Sequence, residues 1–160
     1  MNWEALIAVS EKLAQVEHIS DSDVQTGVAQ LNKAVSVAYY AMFHALAQNN
    51  ADRLVGDSES DGETVAWHRI YRALEHRTAY RQLSESRLGN FSDQVRRFGS
   101  TFRDLQDSRH RADYDPQSYF ARTETLNLIA EAESAIRDFL TATIAERRDL
   151  AAHVLFTSRG

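Results

Sequence analysis

The chain of 160 residues has no cysteine, so neither a disulfide framework nor a thiolate metal site is open to it. It has one proline, Pro116, so that helix breaker acts at a single point. It has two lysines, Lys12 and Lys33; every other base is arginine. No apolar run approaches the roughly 18 residues of a membrane span. The start, Met1–Ala5, has no basic n-region and no apolar h-region, so it does not read as a signal peptide. The expected setting is therefore the cytoplasm, with no membrane partner. No His-Glu-x-x-His, paired Glu-x-x-His or similar ligand set occurs, so no metal is expected. A Gly-rich phosphate loop and a Gly-x-Ser-x-Gly elbow are also missing, and no cofactor is expected.

What is present fits one domain over residues 1–160. Hydrophobic residues make up 43% and charged residues 26%, an ordinary soluble composition. The net charge of −5 hides an uneven distribution. Residues 1–63 carry three bases and ten acids, and residues 112–160 carry five bases and eight acids. Between them, residues 64–111 carry ten arginines and five acids. This arginine island is either a solvated helix face or a contact for an anionic partner, for which arginine's bidentate fork is suited.

The pattern is helical throughout. A first helix is expected over about 3–18, with Leu6, Val9, Leu13 and Val16 inward. Ser22 and Gln25 have capping-box spacing for a second helix, about 23–50, with Val24, Val28, Leu31, Val35, Ala38, Met42 and Ala45 as its seam. A polar loop, about 50–63, is either mobile or partly helical at its start. A third helix is expected over 64–83, with Trp67, Ile70, Ala73 and Leu74 inward. Ser84–Asn90 reads as a turn. Ser92 caps a fourth helix with the stripe Val95, Phe98, Phe102 and Leu105, stopped by Pro116. A last helix is expected over 118–147, with Leu126, Ile129, Ile136 and Leu140 inward. The tail Leu150–Phe156 docks as a continuation or a short extra helix. The expected fold is an all-α, antiparallel bundle of four main helices plus accessory helices.

Heptad steps on the fourth helix single out two lines. Val95, Phe102 and Arg109 fall on one, with about 20° of drift per step, so Arg109 continues the core stripe. A guanidinium there needs a partner, and Asp113 at i+4 is the nearest. The second line is Arg96, Arg103 and His110. Arginine can stabilise charge developing on phosphorus, and histidine can move a proton near neutral pH, so this edge suits RNA binding and cleavage without a metal. Its alternative is a helix-end histidine beside solvated arginines. Ser36, Tyr40 and His44 are spaced four apart on the second helix and form either a polar feed to a site or an interhelical hydrogen-bond cluster with Asp113. His68 and His76, eight apart, read as one surface face of the third helix.

Two segments carry a resemblance. Ala34–Ala45, with Ser36-Val37-Ala38-Tyr39-Tyr40-Ala41-Met42-Phe43-His44 at its centre, resembles the Ser-x-Ala-Tyr-Tyr-Ala-x-Phe-His helix of the HEPN domain family. Phe102–Pro116, with Arg109-His110-Arg111-Ala112-Asp113-Tyr114, resembles that family's Arg-x-x-Ala-Asp-Tyr turn. The resemblance implies a helical bundle that dimerises, in prokaryotic defence or toxin systems. It further implies RNA or nucleotide as partner and, in a toxin–antitoxin pair, a nucleotidyltransferase antitoxin. Active members are metal-independent RNases with Arg-x(4–6)-His. Here the aligned Arg109 is followed by Tyr114 where histidine would stand, whereas Arg103 and His110 meet the spacing in another register. The candidate catalytic residues are thus Arg109, Tyr114, His110 and Arg103. The candidate nucleic-acid contacts are Arg96, Arg97, Arg103 and Arg111. The alternative is a non-catalytic interaction or structural module.

Overall fold

A computed structural model describes residues 1–15 and 24–157. Among them there are eight helices and no strand: α1 Trp3–Ala14, α2 Val24–Leu54, α3 Ser58–Asp61, α4 Val65–Arg72, α5 His76–Gln82, α6 Asp93–Tyr114, α7 Arg122–Phe139 and α8 Ile144–Leu155. The expected all-α bundle is what the chain forms. No described helix is long and apolar enough to cross a membrane.

α2 is the central element, packed against α1, α4, α6, α7 and α8. That position explains its composition. Leu31, Val35, Ala38, Met42 and Ala45 are buried as the seam requires, but so are Ala34, Tyr39, Ala41, Leu46, Ala47 and Ala51. A helix surrounded on most sides buries more than one stripe, and alanine lets neighbouring helices approach closely. Val24, at its exposed start, lies outside the seam. The Ser22 cap lies outside the described residues.

The fourth predicted helix is α6. Ser92 caps it, its hydroxyl accepting from the Val95 N–H, and Val95, Phe98, Phe102 and Leu105 are buried. Its last residue is Tyr114, two before Pro116. Gly99 in this helix permits a close approach. A Cβ there would stand 2.5 Å from Leu88 Cδ1 and 2.9 Å from the Leu83 carbonyl oxygen.

Several boundaries differ from the sequence reading. In α1 the buried face is Trp3, Ile7, Ser10 and Ala14, one position on from the expected Leu6–Val9–Leu13 stripe. Val9 is exposed, while Leu6 and Leu13 flank the core. Ser10 is tolerated inside because its hydroxyl donates to the Ala34 carbonyl at 2.6 Å. Val16 lies outside the described residues. The 50–63 loop is largely helical: α2 continues to Leu54, and α3 follows. Gly62 closes α3 at φ 78°, a conformation that favours glycine.

The helix expected over 64–83 is two helices. Glu75 is extended, at φ −112° and ψ 135°, and this turns Leu74 inward and leaves Ala73 exposed. The last helix also divides. Thr143 caps α8 by accepting from the Glu146 N–H at 3.1 Å, and the Glu146 carboxylate accepts from the Ser92 N–H at 2.5 Å. Leu126 and Leu140 are partly exposed, in place of the inward positions expected of them. The apolar tail is the second half of α8, where Leu150, Ala151 and Val154 are buried and Phe156 is exposed.

Candidate functional site

The α6 register carries the core stripe Val95–Phe102 on to Arg109, whose side chain is 12% exposed. Its Nε donates to Asp113 Oδ2 at 3.0 Å and its Nη2 donates to the Tyr40 hydroxyl at 3.0 Å. The Ser36 hydroxyl donates to the same Asp113 oxygen at 3.2 Å. The guanidinium carbon lies 5.4 Å from the Tyr40 ring centroid and 5.7 Å from those of Tyr39 and Tyr114. Burial opposes the charged form, but Tyr40, Asp113 and Tyr114 together outweigh it and hold the Arg109 pKa above its ordinary value. One turn of α2 is thereby fastened to the last turn of α6 by a fixed positive charge.

His76 joins the cluster from α5. Its ring stacks on Phe43 at 4.1 Å, stands 6.0 Å from the Tyr40 ring, and its Nδ1 lies 2.6 Å from the Tyr39 hydroxyl. That hydroxyl is also 3.3 Å from Gln106 Oε1. One proton arrangement satisfies both contacts: Nδ1–H donates to the Tyr39 oxygen, and Tyr39 O–H donates to the Gln106 carbonyl. Burial raises the Tyr39 pKa and keeps the phenol protonated. Burial, then the charges of Arg109 and His110, lower the His76 pKa. The imidazole is neutral at physiological pH, and in this arrangement its Nε2 keeps a free lone pair. A continuous helix over 64–83 would leave His76 on the surface with His68. The break at Glu75 rotates it inward, and no Gly or Pro near that point announces the break. His68 is exposed, 3.4 Å from the Glu63 carboxylate.

Next to this cluster, His110 is exposed, with its ring 5.5 Å from that of Tyr114. Tyr114 is 67% exposed. Arg109, Tyr114, His110, Tyr40, Ser36 and Asp113 are thus brought together. His44 stands at the edge, its ring 6.5 Å from that of Tyr40, because two further turns of α2 rotate it about 80° from Ser36. Its Nδ1 pairs with the Tyr71 hydroxyl at 2.5 Å and its ring stacks on Tyr71.

The other sequence-derived arginines have intramolecular partners. Arg103 lies over the Tyr80 ring at 4.4 Å, and Arg111 over Phe120 at 4.9 Å. Arg96 is 3.7 Å from Glu85 and 4.0 Å from Asp93. Arg97 donates to the Ser134 hydroxyl at 2.9 Å and reaches Glu131 and Asp138, which ties α6 to α7. Arg96 and Arg103 share a cavity with Glu85, Asp93, Asp104 and Asp107, so carboxylates outnumber guanidinium groups there. His110 does not line that cavity. By contrast Arg69, Arg72, Arg77, Arg81 and Arg87 make no ion pair among the described residues. The unpaired part of the arginine island is α4, α5 and the turn after them.

Compared with family models, curated proteins and solved structures, the chain matches none. Among the described residues no group of three or more histidine, aspartate or glutamate side chains is placed to hold a metal ion. The Arg109 cluster offers a fixed guanidinium, a neutral imidazole, a solvent-facing imidazole and an exposed phenol ring. Those groups suit a phosphodiester next to a base.

Proposed function

We propose that the protein is an RNA- or nucleotide-interacting helical bundle of the HEPN-like defence or toxin type, with the phosphodiester seated at Arg109. The observation that carries this reading is the anchoring of Arg109 by Tyr40 and Asp113 beside His76, His110 and Tyr114. A preorganised cation stabilises charge developing on phosphorus without reorganising at the moment of reaction. Tyr114 offers a ring on which a base can stack. A metal-independent cleavage would use two imidazoles. Neutral His76 accepts the 2′-hydroxyl proton as the 2′-oxygen attacks phosphorus, and His110 delivers a proton to the departing 5′-oxygen. The products are a 2′,3′-cyclic phosphate and a 5′-hydroxyl end. A homodimer and a nucleotidyltransferase antitoxin partner belong to the same reading.

The test is a single-turnover assay on mixed single-stranded RNA in EDTA. Under this reading wild type cleaves, His110→Ala binds but does not cleave, and Arg109→Lys loses both. Cleavage that survives His110→Ala overturns it.

A second reading, a non-catalytic interaction module, has its own observation. Arg109 spends Nε and Nη2 on its own chain, and the exposed Tyr114 ring lies 5.7 Å from its guanidinium carbon. It predicts neither RNA binding nor cleavage by wild type.

A further inference from the structure

We infer that Gln106, acting through Tyr39, fixes His76 as the tautomer that carries its proton on Nδ1, and so keeps Nε2 as the proton acceptor of the Arg109 cluster. Gln106 and Tyr39 are positioning residues in this role, since neither need touch a substrate. That Nε2 serves as a base rests on the RNA reading; where the proton sits does not.

Neutral imidazole carries one proton and has two nitrogens to hold it. A proton on Nε2 would remove the base. The ring itself is held in place. Phe43 stacks on it at 4.1 Å with 24° between the planes, Tyr39 tilts against it at 5.6 Å, and Tyr40 meets it edge-on at 6.0 Å. Its Nδ1 is 2.6 Å from the Tyr39 hydroxyl, and its Nε2 has no hydrogen-bond partner among the described residues. A bond between an imidazole nitrogen and a hydroxyl can run in either direction. The aromatic contacts therefore orient the ring and leave its proton undecided.

The decision passes to the far side of Tyr39. This residue is 0% exposed, and its oxygen lies between His76 Nδ1 and Gln106 Oε1, the latter at 3.3 Å. A phenol has one proton to give, and a carbonyl oxygen can only accept. The Tyr39 proton thus goes to Gln106, and the phenol oxygen accepts from Nδ1–H. An amide nitrogen in the same place would donate to the phenol, turn the Tyr39 proton onto Nδ1 and move the imidazole proton to Nε2. One carboxamide, facing Tyr39 with its oxygen, therefore sets a proton position two hydrogen bonds away. Burial preserves the relay, because it holds the Tyr39 phenol in its protonated form. Gln106 is itself only 6% exposed, next to Leu105 in the buried register of α6. A carboxamide costs more to bury there than an apolar side chain, and the bond from Tyr39 is what offsets that cost. With Tyr39 on α2, Gln106 on α6 and His76 opening α5, the relay crosses three helices.

The test is a two-dimensional ¹⁵N spectrum of the histidine rings in the full chain, recorded well above the ordinary histidine pKa. A protonated ring nitrogen and a lone-pair nitrogen have well-separated shifts, and His76→Phe identifies the signals. Wild type should show Nδ1 protonated and Nε2 bare. Gln106→Met removes the acceptor at similar length, so the Tyr39 proton has only Nδ1 left to meet and the two shifts should exchange. Tyr39→Phe, which keeps the ring, should also lose the Nδ1–H pattern. Gln106→Glu, whose carboxylate can only accept, should retain it. In the EDTA cleavage assay Gln106→Met should cut at least about tenfold more slowly at saturating RNA with little change in binding, and Gln106→Glu should recover most of the rate. A merely structural bond between α2 and α6 would lower the melting temperature of Gln106→Met and leave its tautomer alone. That outcome, or a wild-type spectrum with the proton on Nε2, overturns the inference. If wild type cleaves no RNA, the RNA reading falls, and the spectra by themselves decide whether Gln106 sets the His76 proton.

Discussion

Arg109 and Tyr40 lie sixty-nine residues apart, yet the guanidinium donates to the phenol oxygen at 3.0 Å, and its other arm reaches Asp113 one turn on. The contact joins the two segments whose sequence is most distinctive. It makes the end of α6 a fixed part of the α2 surface, where a frayed helix terminus would otherwise stand.

Arg109→Ala should destabilise the fold by about 1–2 kcal/mol, well under the roughly 3–5 kcal/mol of a fully buried pair left broken. The Asp113 side chain is 27% exposed and keeps the Ser36 hydroxyl, so the orphaned carboxylate is solvated. Urea denaturation of the two proteins measures the difference. A change above about 4 kcal/mol would mean that Asp113 is stranded without water.

The Arg109–Asp113 pairing and the Ser36–Tyr40 face could be read from heptad and four-residue spacing, because both depend on one helix at a time. The α6 stripe and its Pro116 stop were legible for the same reason. The inward turn of His76 was not legible. It depends on a break at Glu75 that no residue nearby dictates and that packing against Phe43 rewards. The α7–α8 division had a signal in Thr143 and Glu146, three apart as capping pairs are, but continuous apolar periodicity masked it. The α1 face was misread by one position because Ser10, polar by type, is buried through a bond to α2 that only the tertiary structure supplies.

Gly99→Ala should destabilise the protein by about 1–3 kcal/mol, although alanine is the better helix former. The added methyl would meet the Leu83 backbone carbonyl, which cannot yield as a side chain can. The melting temperature should fall. A rise, as propensity alone would give, would show that the 83–88 turn moves freely away from α6.

Stability should decline as pH falls below the ordinary histidine range. Burial lowers the folded pKa of His76 and of His44, so the unfolded chain binds protons first. Their contribution is complete above about pH 6.5 and is lost as pH drops through the folded values. Denaturant midpoints at pH 8 and in the mildly acidic range measure the slope. His76→Phe, which can keep the stack on Phe43, should flatten it, and an unchanged slope would exclude His76 as its source.

The salt dependence of RNA binding should locate the arginines that meet phosphate. Each phosphate neutralised contributes a slope of about 0.7 for a single strand. Arg97 is held by Ser134, Glu131 and Asp138, so Arg97→Ala should cost stability and leave the slope nearly unchanged. Arg77 and Arg81, four apart on α5 and without ion pairs among the described residues, are free to contact a backbone that passes His76. Arg77→Ala and Arg81→Ala should each reduce the slope by about 0.7 and leave the melting temperature in place. Fluorescence anisotropy of a labelled single-stranded RNA over a salt series reads both quantities. If Arg97→Ala flattens the slope and the α5 variants do not, the phosphate path follows α6, and the carboxylates beside Arg96 and Arg97 must release their partners to receive it.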